Sequence, residues 1–254
     1  VTRYFLLLFF ALASTPASPL WAQAVDETEA RRYADCMTLA GRDPDAAFDE
    51  AAHWGYEGGG FPARHCAATA LVALGHYAEA ATRLEDLAQD MTGREAPLRV
   101  GVLRQAGRAW MLDGNYEQAL AVQGAALQLE PGDIETLIDR STVLALAGAY
   151  WEAIDDLNRV LERNPDDVGA LVMRASAYRF VESAELAMHD VDRALELDPE
   201  DIDALLERGN IRRLIGDDDG AREDWVRVLQ IAPESVAADG ARTNLEKLDV
   251  NVEE

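Results

Sequence analysis

Lysine is almost missing from this chain. Of 23 Lys and Arg residues only Lys247 is a lysine, and they face 47 Asp and Glu, for a formal net charge of −24. That balance disfavours nucleic acid as a partner, because phosphate binding needs a net surplus of cations. It equally disfavours docking on an anionic membrane surface. A solubilising acidic coat from a GC-rich genome and adaptation to salt both fit it. Histidine is scarce as well: His53, His65, His76 and His189 are scattered, and Ser141 and Ser176 lack a Gly-x-Ser-x-Gly setting. Carboxylate pairs occur everywhere in so acidic a chain and discriminate nothing. The expectation is a protein without catalytic residues and without a cofactor.

Long apolar runs are confined to one place. Arg3 precedes Tyr4-Phe5-Leu6-Leu7-Leu8-Phe9-Phe10-Ala11-Leu12-Ala13, and Ala22-Gln23-Ala24 follows a polar stretch. This is the layout of a secretory signal, with cleavage expected after Ala24 and a rival site near Ala17. The run is short for a membrane span, so the membrane enters only if the signal stays uncleaved. A periplasmic protein is the expectation.

Cysteine is nearly absent too. In an exported chain the two that exist, Cys36 and Cys66, are expected to form a disulfide. A metal site built from them with His53 and His65 is the rival, but the spacings match no zinc pattern. No metal is expected.

What the chain does have is a period. Pro131, Pro165, Pro199 and Pro233 follow one another at steps of 34 residues, as do Ala119, Ala153, Ala187 and Ala221. Such self-similarity marks stacked helical hairpins, none of which buries its apolar face alone. Gly-x-Tyr-x-x-Ala supplies the turn inside a hairpin at Gly75, Gly114 and Gly148. Each proline then stops the second helix, and Asp133, Asp167 and Asp201 are placed to cap the next one. Small residues (Gly107, Ser141, Ala175, Gly209) let neighbouring helices approach closely. The expected units are a degenerate N-terminal cap within 25–60, then 61–94, 100–133, 134–167, 168–201 and 202–235. Five extra residues, Glu95 to Arg99, make a longer loop between the second and third units. A closing helix over 236–249 and an acidic tail complete the chain. The fold class is all-α, a right-handed solenoid of six hairpins plus a capping helix.

The unit 100–133 carries Gly107, Trp110, Ala119, Ala126 and Pro131, and 202–235 carries Leu205, Gly209, Ala221, Trp225 and Pro233. These residues resemble the tetratricopeptide repeat family over about 210 residues. The first two units depart from the pattern, with Gly58 and Thr92 where Pro is usual. The unit 168–201 has Glu182 and Ala184 where Gly and Tyr are usual.

Two sets of charged residues follow the period. Arg140, Arg174, Arg208 and Arg242 form one ladder, and Asp156, Asp190 and Asp224 form another on the partner helices. Stacked Arg–Asp pairs between helices are the expected meaning, since guanidinium can hold carboxylate bidentately. The family resemblance implies that fixed positions of each first helix face a peptide-binding groove. By that mapping Arg179, Arg213 and Lys247 form a basic strip beside Ser176, Asn210 and Asn244, with Arg104 and Arg108 nearer the N-terminus. Such a strip would take an acidic segment or a C-terminal carboxylate, with Val172, Phe180 and Leu206 in apolar contact. The competing reading pairs these bases with Glu135, Asp139, Asp203 and Glu207 in a solvated face. The stretch Trp54 to Pro62 contains Gly58-Gly59-Gly60, but no Lys follows and no phosphate-loop spacing is present. It reads as a flexible link with aromatics packing back on the cap. The expected function is a periplasmic protein–protein scaffold. Self-assembly is the alternative, and an enzyme or a small-ligand binder is a more distant one.

Overall fold

The computed structural model describes residues 27–251. The expected signal segment, residues 1–24, and the tail at 252–254 lie outside the described residues. Among the described residues there are thirteen α-helices and no strand. Six antiparallel pairs come first: α1 (Glu27–Ala40) with α2 (Pro44–Tyr56), α3 (Gly60–Ala73) with α4 (Tyr77–Asp90), and α5 (Arg99–Leu112) with α6 (Tyr116–Leu129). Then come α7 (Ile134–Leu146) with α8 (Tyr150–Arg163), α9 (Val168–Phe180) with α10 (Ala184–Leu197), and α11 (Ile202–Leu214) with α12 (Asp218–Ile231). A single helix, α13 (Val236–Asn251), closes the array. Each helix packs on the next, which makes a right-handed all-α solenoid. The stretch expected as a loop near Glu95 is a 3₁₀ helix, Gly93–Leu98, and Arg99 already opens α5.

Local chemistry sets the helix ends. At Gly114 the backbone turns to φ +79°, so that Asn115 N–H reaches Trp110 C=O at 2.9 Å and finishes α5. Glu182 occupies the same place after α9 with φ +58°, a left-handed conformation that a side chain tolerates poorly. The four prolines stand two residues beyond the ends of α6, α8, α10 and α12. Asp133, Asp167 and Asp201 cap α7, α9 and α11, accepting from the N–H groups of Thr136, Ala170 and Ala204 at 2.9, 3.0 and 2.7 Å.

Packing follows from the small residues. A Cβ on Gly209 would sit 2.4 Å from the Trp225 indole, and one on Gly107 would sit 2.7 Å from Cγ of Gln123. The first helix is thinned where the second presents its bulky side chain. Trp225 is fully buried in an apolar core that runs unbroken from Leu127 to Leu248. Gln123 is fully buried in the same role, yet neither its Oε1 nor its Nε2 finds a protein partner.

At the N-terminal end a disulfide joins Cys36 of α1 to Cys66 of α3, with Cα atoms 6.2 Å apart. The Trp54–Pro62 stretch is compact, not a flexible link. Trp54 is buried against Tyr33 and Ala63, only Glu57 to Gly59 lie between α2 and α3, and Phe61 and Pro62 are already helical. Gly59 is required there, since a Cβ would overlap the Trp54 ring at 2.4 Å. Tyr56 is the aromatic left in solvent.

The Arg–Asp ladder has three rungs. Arg140, Arg174 and Arg208 each grip a buried aspartate on the second helix of their own hairpin, Asp156, Asp190 and Asp224, at 2.6 to 3.0 Å through two nitrogens. Hydrogen bonding to those aspartates, against the opposing effect of burial, holds Arg174 and Arg208 above the ordinary arginine range. Two rungs also reach back one hairpin: Arg174 donates to Asn158 at 2.7 Å, and Arg208 lies 3.6 Å from Asp192. Arg242, expected as a fourth rung, is not one. Among the described residues Arg242 meets no aspartate of a second helix and turns instead to Asp239 at 2.7 Å and to the Pro233 carbonyl.

Candidate partner-binding groove

The first helices α5, α7, α9, α11 and α13 follow one another along one face, and charged clasps tie two of the four junctions, α5 to α7 and α9 to α11. Arg104 and Arg108 of α5 reach the start of α7: Arg104 to Glu135 at 2.6 Å and to Asp133 at 3.4 Å, Arg108 to Asp139 at 2.5 Å. The Asp139 bond raises the Arg108 pKa, while burial outweighs Arg108 and leaves the Asp139 carboxyl above its ordinary range. Arg179 of α9 holds Glu207 of α11 through two nitrogens, 2.5 and 3.3 Å. Asn210 donates to the same carboxylate at 3.2 Å and accepts from Asn244 of α13 at 2.8 Å.

The sequence-derived strip is therefore divided. Arg104, Arg108 and Arg179 are neutralised within the protein. Asp203, placed among their possible partners, takes no part in a clasp. Among the described residues, Arg213 and Lys247 meet no carboxylate, and Lys247 is exposed. Ser176 stands apart from these charges on the wall of a cavity.

That cavity opens where the clasps stop. Among the described residues no ion pair joins α7 to α9, and these two helices meet less closely than α5 and α7 or α9 and α11. The positions that carry Asp139 and Glu207 in the flanking hairpins carry Met173 here. Those of Arg108 and Arg179 carry Thr142 and Ala145. The space left is about 440 Å³, walled chiefly by Ala145, Leu146, Tyr150, Met173, Ala177 and Phe180. Tyr150 and Phe180 stack at its rim, with ring centres 4.6 Å apart and planes 2° from parallel. Phe180 stays half exposed, and the Arg179 guanidinium lies 4.4 Å from its ring. A largely apolar concavity with a few polar groups suits a side chain or small apolar group of a partner. The sequence reading named Phe180 and Ser176 but missed the cavity. Its signal is the replacement of charge by Met173 at one point of the register.

Residues 172–236, from α9 into α13, match the sequence profile of the tetratricopeptide repeat. Over this segment the chain is similar to the tetratricopeptide repeat family. Solved structures of tetratricopeptide proteins share the fold. MamA from Desulfovibrio magneticus RS-1 is 24% identical, with a TM-score of 0.57 over 66% of this chain and 93% of that one. A tetratricopeptide repeat protein from Parabacteroides merdae is 19% identical, with a TM-score of 0.63 over 76% and 78%. YrrB, described as having an unusual peptide-binding site, is 18% identical, with a TM-score of 0.54 over 71% and 91%. Among curated proteins none matches. The hairpin 168–201 departs twice from its neighbours, at Glu182 in the turn and at Met173, which lines the cavity.

Proposed function

We propose that this chain is a non-catalytic periplasmic scaffold that binds a segment of another protein along its first helices. The observation that carries the reading is the unclasped α7–α9 junction, with its apolar cavity and half-exposed Phe180. An apolar side chain of the partner enters there. An acidic residue or C-terminal carboxylate of the same segment meets Arg213 and Lys247, the two bases of the strip left without carboxylates. The groove is preformed by stacking, so little ordering entropy opposes binding. The peptide-binding site described for YrrB supports the same use of the fold. Export is supported by the disulfide, a bond that persists in oxidising compartments. No helix among the described residues is long and apolar enough to cross a membrane.

Self-assembly is the second reading. End-to-end stacking has little to support it, because the outward faces of α1 and α13 are polar: Arg31, Asp35 and Thr38 at one end, Asp239, Arg242 and Glu246 at the other.

The test is cross-linked capture from source periplasm with wild type, Ala145→Phe, and Arg213→Glu/Lys247→Glu. A partner held by wild type and lost by Ala145→Phe, with helicity unchanged, supports the groove. A partner retained by both variants sinks it. Recovery of the protein alone, with light scattering that grows with concentration, favours self-assembly.

A further inference from the structure

The 34-residue period also places apolar side chains where they are not buried. Leu112, Leu146, Phe180 and Leu214 each stand at the end of a first helix, one per hairpin, and each is 51 to 55% exposed. Isolated exposed leucines need no explanation, but a row in register across four hairpins forms one stripe along the turn edge of the solenoid. Trp151 and Ile215 widen it, at 58% and 57% exposed. Acids flank the stripe in every one of these hairpins: Asp113 and Glu117, Glu152, Glu182 and Glu185, Asp218 and Asp219, all exposed. The edge is thus apolar along its middle and anionic at its sides. Of the arginines at its ends, Arg179 is held by Glu207 and Arg212 by Asp217 and Asp224, while Arg213, beside Leu214, is left without a carboxylate.

We propose that this edge is a second docking surface, which shares Leu146 and Phe180 with the cavity but extends beyond it through Leu112 and Leu214, and that its partner is a basic amphipathic helix. Charge complementarity selects the sign. It also argues against a second copy of this chain, which would set acid against acid. Spacing selects the helix. Touching first helices lie about 8–10 Å apart, and an α-helix presents every seventh residue about 10.5 Å along its axis. An apolar residue once per heptad therefore meets one rung per hairpin, and Lys or Arg beside it meets the flanking carboxylates.

The probe is a fluorescein-labelled three-heptad peptide with leucine once per heptad, lysine beside it, and alanine and glutamine elsewhere. Its control replaces every lysine by glutamate. Anisotropy titrations use the full chain. Leu112→Ser/Leu214→Ser removes two rungs that do not line the cavity, and Glu117→Lys/Glu185→Lys/Asp219→Lys reverses one acid in each of three hairpins. The expected result is saturable binding of the lysine peptide that weakens with salt, no binding of the glutamate peptide, and a loss of about tenfold or more in each variant. Circular dichroism and urea midpoints near wild type would show that the variants are folded. Absence of binding, equal binding of both peptides, or wild-type affinity in both folded variants would overturn the proposal. Ala145→Phe separates the two surfaces: it blocks the cavity and leaves Leu112, Leu214 and the acids in place.

Discussion

Arg179 and Glu207 face each other across two hairpins, and the guanidinium holds both carboxylate oxygens. The glutamate side chain is only 9% exposed, so the contact is a half-buried clasp, not a surface pair. Stripping the arginine strands an anion away from water. Arg179→Met is expected to lower stability by about 1–3 kcal/mol, read from the urea midpoint. Arg179→Met/Glu207→Met should recover most of that loss. A change within about 0.5 kcal/mol for the single variant would mean that Arg179 is free in solution.

Gln123 is the reverse case, a buried amide with neither end paired to protein. Methionine matches its length and has nothing to satisfy. Gln123→Met should raise stability by about 1–2 kcal/mol in urea or thermal unfolding. A loss would show that the amide is bonded, for example to an enclosed water.

Glu182 is the one non-glycine residue with positive φ among the described residues, at +58°. The turns at Gly75, Gly114, Gly148 and Gly216 adopt the same sign without a Cβ to resent it. Glu182→Gly relieves that strain and gives back part of the gain as unfolded-state entropy. The expected net is about 0.5–1 kcal/mol of added stability, again from the urea midpoint.

His65 makes stability depend on pH. It is buried in α3, with Nε2 2.7 Å from Gln105 Oε1 and Nδ1 2.8 Å from the Tyr33 hydroxyl. Oε1 only accepts, so Nε2 carries the hydrogen and Nδ1 accepts from Tyr33. Burial lowers the His65 pKa below 6.5, against a smaller opposing effect of Gln105, and burial also pushes Tyr33 up to about 12. The unfolded chain therefore takes up the proton first. Stability is full above pH 6.5 and is lost as the pH falls towards the depressed folded value, at up to about 1.4 kcal/mol per pH unit. The difference in urea midpoint between wild type and His65→Gln should shrink or reverse from about pH 7.5 to 5.5. A constant difference would place the titration elsewhere.

The fold was legible because its instructions are local. A proline stops a helix, a glycine turns it, and an aspartate caps it, each within a few residues of where it acts. The 34-residue repetition turns those local signals into a global one. The ladder was legible for three rungs for the same reason. Arg242 misled because the sequence repeats its position while its guanidinium is taken up within its own helix, by Asp239, and by the Pro233 carbonyl just before it. The groove was harder to read. Glu135, Asp139 and Glu207 were visible as possible partners, but which base each holds depends on how closely successive first helices approach. The α7–α9 cavity is a consequence of charges that are absent, and an absence carries no motif.

The Cys36–Cys66 bond bears on the order in which the array comes apart. A linear stack behaves like a zipper, and melting begins where a unit has a neighbour on only one side. At the N-terminus that weak unit is stitched, with α1 fastened to α3 across the intervening helix. At the C-terminus α13 rests on α11 and α12 with no covalent tie. Under oxidising conditions the zipper opens from the C-terminal end, so amide exchange should reach α13 first and the α1–α3 region late. Reduction turns a one-ended zipper into a two-ended one.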